Sequence, residues 1–226
     1  MYRIYPETSE KETSMNKFER DLGILLTRLN KNADKETKSK LNGLRDRLIR
    51  LNEENVVKIN HSVMELVCAK HLVLKGYDVD VERPLAGRLT CDLYGVKGYG
   101  TLIVEVETGF VPPEHALDPA TYCKARIASK ITRYGNHADK FALGVPPYYI
   151  LQIPPALTRP PRDRKSEELK EIKRRCDLYY KNPPVSLDEI RNARLHTIYV
   201  IDVDEASVRE IDPSAYVENK ARLGYT

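Results

Sequence analysis

Apolar residues at three-to-four spacing open the chain: Phe18, Leu22, Leu25, Leu26 and Leu29 share one face of a helix expected from Ser14. The segment Asn30 to Asp34 breaks that pattern, and a second stripe runs through Leu41, Leu44, Leu48 and Leu51. Two amphipathic helices in a hairpin are the expectation, ahead of which residues 1–13 read as a polar, frayed end. Their apolar stripes need a cover, either the rest of the chain or a second copy in a homodimer. A third helix is expected from Asn60 to Lys75, stopped by Gly76-Tyr77, and then a strand from Val79 to Glu82. Farther on, a proline-rich loop leads to a helix over about Ala120 to Asn136. A strand is expected within Lys140 to Ile153, including the apolar run Tyr148 to Ile153. Then come a charged helix over about Asp163 to Lys181, a short helix at Leu187 to Asn192 and a strand at Leu195 to Asp202. Weak order is expected from Asp212 onward. A helix, three strands, a helix and a strand in that order predict an α/β layered domain. The divisions expected are an N-terminal helical extension over 1–55, a core over 56–155 and a basic C-terminal part over 156–226.

Between the third and fourth helices the alternation changes to a period of two and carries acids. In Thr101-Leu-Ile-Val-Glu105-Val-Glu107-Thr108, Leu102, Val104 and Val106 fall on one face, with Ile103, Glu105 and Glu107 on the other. Two carboxylates therefore point the same way, roughly 7 Å apart at about 3.3 Å per residue, on a strand apolar enough to be buried. A third acid, Asp92, ends the preceding run Arg88-Leu-Thr-Cys-Asp92, and Gly95, Gly98 and Gly100 mark the hairpin between the runs. Burying unpaired carboxylates costs several kcal/mol each, so a chain that keeps them there pairs them or gives them a metal ion. Asp92 and Glu105 on adjacent antiparallel strands, with the Val106 carbonyl, suit a hard divalent cation such as Mg2+ or Mn2+.

Composition narrows the partners. Net charge is +4 over 226 residues, which permits a polyanion without requiring one. The surplus is local: Arg159 to Arg175 holds eight Lys or Arg against four Asp or Glu. That segment reads either as a solvated helix or as a surface that grips DNA phosphates through Arg162, Arg164, Lys165, Lys173 and Arg174. Cysteines 68, 91, 123 and 176 show no CxxC spacing, so zinc ribbons and disulfide scaffolds are not expected. The five histidines show no HxxxH spacing and read as surface or hydrogen-bonded groups. No apolar run approaches the roughly 18 residues needed to cross a bilayer. The expectation is a cytoplasmic protein with reduced thiols and no membrane partner.

Residues 60 to 153 resemble the PD-(D/E)XK nuclease superfamily, which includes restriction endonucleases, archaeal Holliday junction resolvases and several viral nucleases. Carrying the resemblance are the helix with Glu65, the hairpin with Asp92 and Glu105-Val106-Glu107, and the helix and strand behind them. It implies a restriction-endonuclease-like fold, a central mixed sheet flanked by helices, and metal-dependent hydrolysis of DNA phosphodiesters, on branched or duplex substrates. By that resemblance Glu65 is the accessory acid, Asp92 and Glu105 bind Mg2+ or Mn2+ with the Val106 carbonyl, and Glu107 stands where the family usually has lysine. The following helix offers Lys124, Arg126, Lys130 and Arg133 as replacement cations or phosphate contacts. Lys130, four residues from Arg126 on one face, is the one expected to act in catalysis. Two-fold substrates make a homodimer the expected assembly. Alternatives stay open: a catalytically degenerate module that binds nucleic acid or assembles without cleaving, and an interaction protein built on the helical hairpin.

Overall fold

The computed structural model describes residues 10–87 and 89–222, so the polar segment 1–9, Arg88 and the last four residues lie outside the described residues. Helix α1 (Glu10–Asn30) begins four residues ahead of Ser14, and α2 (Lys35–Glu53) follows a short turn. Asp34 caps α2, its carboxylate accepting from the Thr37 amide at 2.7 Å. Helix α3 (Ile59–Leu74) ends at Gly76, which takes φ +84 as an L side chain rarely does. Then come β1 (Asp78–Pro84), β2 (Thr90–Lys97), β3 (Gly100–Val106), α4 (Pro119–Tyr134) and β4 (Lys140–Val145). The chain closes with α5 (Ser166–Tyr179), α6 (Leu187–Asn192), β5 (Thr197–Asp202), β6 (Ser207–Ile211) and α7 (Pro213–Arg222).

The six strands form one mixed sheet in the order β1-β2-β3-β4-β5-β6. Pairing is antiparallel through β1, β2 and β3, parallel from β3 to β5, and antiparallel again at β6. The period of two in β3 divides the core as the sequence predicts. Leu102, Val104 and Val106 join the leucines of α1 and α2 and the apolar side of α3 in one layer. Ile103 joins Phe141, Leu143, Ile127, Ile131 and Ile172 in the other, under α4 and α5. Both parallel crossovers, through α4 and through α5 with α6, lie on this second face. Consecutive crossovers that step in one direction must share a face if they share a hand.

Three expectations need correction. The apolar run Tyr148 to Ile153 is not strand: β4 stops at Val145, and Leu151 and Ile153 are buried in irregular chain. Pro146-Pro147 before it and Pro154-Pro155 after it remove the amides a ladder needs. Residues 213–222 of the tail form α7, held where the Tyr216 hydroxyl accepts from the Leu151 amide at 3.0 Å. Strand β6 was not expected at all, because an edge strand with Arg209 and Glu210 in it shows little alternation. The hairpin stripes are covered within the chain: Phe18, Leu22, Leu25, Leu26, Leu29, Leu41, Leu44 and Leu48 are all buried in the first core layer. They are therefore not the seam of a homodimer. No described helix is long and apolar enough to cross a membrane.

Because Leu48 has no exposed surface and sits in a core shared by the hairpin and the sheet, Leu48→Ala should cost about 2–5 kcal/mol. A urea unfolding curve should show that loss as a lower midpoint in a single transition. A separate early transition for the hairpin would contradict the shared core.

Candidate active site

The site begins where two strands part. Cα pairs between β2 and β3 run from Lys97 with Gly100 to Leu93 with Val104 and then stop. The next pair would be Asp92 with Glu105. There the side chains take over: the Asp92 amide donates to Glu105 Oε1 at 3.1 Å, and the Val106 amide donates to Asp92 Oδ2 at 2.5 Å. On its other side β3 keeps its partner, the Glu107 amide donating to the Gly144 carbonyl at 2.8 Å. Glu105 and Glu107 are thus fixed on rigid backbone while a gap opens beside them. Just past the strand, Gly109 turns the chain at φ +81, and a Cβ there would meet the Tyr149 ring at 2.5 Å.

Helix α4 fills the face toward which Glu105 and Glu107 point. Asp118 caps it and Pro119 supplies its first turn. Lys130 Nζ lies 3.0 Å from Glu105 Oε2, 2.8 Å from Glu107 Oε1 and 3.3 Å from the Val106 carbonyl. One turn earlier, Arg126 Nε is 3.1 Å from Glu107 Oε2, and its Nη1 donates to the Phe110 carbonyl at 2.8 Å. Burial alone would lower the Lys130 amine, but Glu105, Glu107 and Asp92 hold it well above the usual lysine range. It is a fixed positive charge, not a base.

From the opposite face α3 brings Glu65, which is 0% exposed and whose two oxygens have no hydrogen-bond partner. Burial, then Asp92, Glu82 and Glu105, push its carboxyl well above the usual range. Glu105 is raised to about 8 by burial and Asp92, with Lys130 opposing. Two residues the sequence reading did not assign belong to this cluster. Glu82, opposite Asp92 in the register of β1 and β2, takes φ +47 within its strand, and burial and Asp92 raise it to about 7. His61 is half-buried, and one ligand atom each from His61, Glu65 and Asp92 lie within 4.8 Å of one another. Burial lowers its imidazole against the pull of Asp92. No second histidine at ligand spacing marks it in the sequence; its signal there is His61-x-x-x-Glu65, four residues apart on one helix face.

Of the expected metal ligands, Glu65 and Asp92 therefore come together, whereas Glu105 and the Val106 carbonyl face Lys130. The expected phosphate contacts mostly have other tasks. Arg164 is 5% exposed and donates to the carbonyls of Leu157, Arg159, Ile190, Arg191 and Ala193, so it ties loops together and is not available to DNA. Arg133 donates to the Pro183 carbonyl and lies over Tyr180. Lys173 pairs with Asp177 at 2.9 Å and Arg174 with Glu171 through two bonds of 2.9 Å. Lys124 lines a cleft with Glu168, Glu171 and Lys220. Arg162 and Lys165 stay exposed.

No family model and no curated protein matches the sequence. Among solved structures, a chain of a CdiA-CT/CdiI toxin and immunity complex from Burkholderia pseudomallei is similar at 17% identity. The match covers 68% of this chain and 86% of that one, with a TM-score of 0.26. A likeness that shallow says nothing about fold or activity.

The buried acids set a stability test. A carboxyl whose folded value is raised stabilises the fold fully below its unfolded value and loses that contribution as pH climbs toward the folded value. Glu65→Gln should therefore stabilise the protein, in chelator, by an amount that is small near pH 4.5 and grows toward pH 8. Each kcal/mol gained should appear as about 2–4 °C in the melting temperature. A difference that shrinks with rising pH would contradict a protonated Glu65.

Proposed function

We propose that the protein is a divalent-metal-dependent nuclease of PD-(D/E)XK type, hydrolysing DNA phosphodiesters on a restriction-endonuclease-like core. The observation that carries this reading is Lys130, whose amine sits between Glu105 and Glu107 although it arrives from α4. Where the superfamily's lysine is absent from position 107, the chain still supplies a half-buried cation at the end of β3. DNA as substrate follows from the resemblance in the hairpin and its acids.

The residues present fit a divalent cation. Glu65 is fully buried with both oxygens unpartnered, beside Asp92, and such a group is costly to keep unless it is protonated or meets a cation. Glu65 and Asp92 would hold the ion, Mg2+ or Mn2+. When bound, it supplies Lewis acidity toward a phosphate oxygen and makes nearby water more acidic. Lys130 contributes a preorganised positive charge for the oxygens of the transition state. Glu107 holds Lys130 and Arg126 in place, and Glu105 fixes the Asp92 backbone. A second reading, a degenerate nuclease fold that binds without cleaving, has one observation on its side: both Glu105 oxygens are already engaged within the protein.

Incubating the purified protein with Mn2+ or Mg2+ and a panel of duplex, flap and branched DNAs decides between the two. Cleavage is expected; Asp92→Ala should abolish it with the fold intact, and Lys130→Met should lower the rate by about 10²–10³. Cleavage by Asp92→Ala at the wild-type rate would sink the assignment, and metal binding without cleavage of any substrate would favour the degenerate reading. Metal binding should also expel protons from the raised carboxyls. Calorimetry in buffers of different ionisation enthalpy should show that release, with affinity climbing from pH 6 to 8.

A further inference from the structure

We propose that the metal centre is a mixed nitrogen–oxygen site in which His61 ligates beside Glu65 and Asp92, so that it takes a first-row transition ion such as Mn2+ or Co2+ ahead of Mg2+. This rests on the metal-site reading above and adds the ligand that sets its selectivity. Three features carry it.

The first is position. His61 and Glu65 are four residues apart on α3, so both side chains leave the same helix face. Asp92 meets them from the mouth of the strand gap. Ligand atoms bound to one ion at roughly 2.0–2.2 Å lie within about 4.4 Å of each other, and the three atoms here already fit within 4.8 Å. Small side-chain rotations close the remaining difference.

The second is demand. Glu65 has no exposed surface and no hydrogen-bond partner at either oxygen. A buried carboxylate aimed into a cluster with a second carboxylate and an imidazole is the donor set of a cation site. The third is supply. Glu105, the oxygen donor an all-oxygen site at Asp92 would use, gives Oε1 to the Asp92 amide and Oε2 to Lys130. The Val106 carbonyl likewise accepts from Lys130. With those oxygens engaged, the donor within reach of both Glu65 and Asp92 is the His61 ring; Glu82 neighbours Asp92 but does not join that close group of three.

Imidazole changes which ion is preferred. Mg2+ favours oxygen and water and gains little from nitrogen, whereas affinity at nitrogen donors rises along Mn2+, Fe2+, Co2+ and Ni2+. Calorimetric titration of the full chain should therefore give tighter binding for Mn2+ and Co2+ than for Mg2+. His61→Ala should weaken Mn2+ by about 10–100-fold, on the scale of lost ligand support, and change Mg2+ much less. Pulsed electron paramagnetic resonance of Mn2+ bound to the wild-type protein should show coupling to a histidine nitrogen. Mn2+ bound without nitrogen coupling, at an affinity His61→Ala leaves unchanged, would overturn the role of His61 while leaving the metal site standing. No binding of either ion by the wild type, or binding that survives Glu65→Gln together with Asp92→Asn, would overturn the metal site itself.

Discussion

The site depends on one departure from ladder pairing: past Leu93 and Val104, the carboxylates of Asp92 and Glu105 take hydrogen bonds that a neighbouring strand would otherwise supply. Charge-assisted bonds to backbone amides are among the stronger hydrogen bonds, so the sheet stays closed up to that pair and open beyond it. The opening is held rather than frayed. The parallel partner β4 continues to hold Glu107 on the far side, and the acids are fixed in direction by the strand that bears them. A gap of this kind lets α3 reach the same point from one face of the sheet and α4 from the other.

What gathers there does not balance without something added. Glu65, Glu82, Asp92, Glu105 and Glu107 converge, opposed by Lys130 and Arg126 on the α4 side and by Arg47 beside Glu82. Lys130 is pulled toward Glu105 and Glu107, leaving Glu65 on the α3 side with unpartnered oxygens. The imbalance resolves by protonation, and the raised carboxyls express this, or by a cation on the side away from Lys130. Glu107 and Lys130 form one unit: an acid at 107 is tolerable because an amine arrives beside it, and the amine stays charged because the acid is there.

Periodicity foretold much of this arrangement and missed the rest for identifiable reasons. The alternation in β3 placed Glu105 and Glu107 on one face, and the four-residue spacing of Arg126 and Lys130 placed both cations opposite them. Three-dimensional closure lay beyond it. Glu82 belongs to the site only because β1 pairs with β2 in a register that sets it opposite Asp92. Arg164 looked like a phosphate contact because charge on a sequence says nothing about the loop carbonyls that would surround it. The run Tyr148 to Ile153 had the composition of a strand, but the prolines on both sides of it cannot donate to a ladder, so no strand extends into or out of it. His61 was passed over because the company a single histidine keeps is set only by what folds next to it, here Glu65 and Asp92.

The helical hairpin, a separable extension by its sequence, acts on the site through β1. Glu82 occupies the left-handed region, which disfavours a side chain of its size and costs of order 1–3 kcal/mol. Such a conformation persists only where neighbours enforce it, and the enforcing group here comes from α2. Arg47 donates through Nη2 to the Glu82 carbonyl at 3.0 Å and pairs through Nη1 with Asp80 at 2.8 Å. One guanidinium thereby grips the strand on both sides of Val81, a residue buried in the same core layer as the hairpin leucines. The apolar stripes of α1 and α2 hold Arg47 at that distance from the sheet, and Arg47 holds the turn that brings Glu82 to Asp92. The geometry of the acid cluster is thus set partly by leucines near the start of the chain.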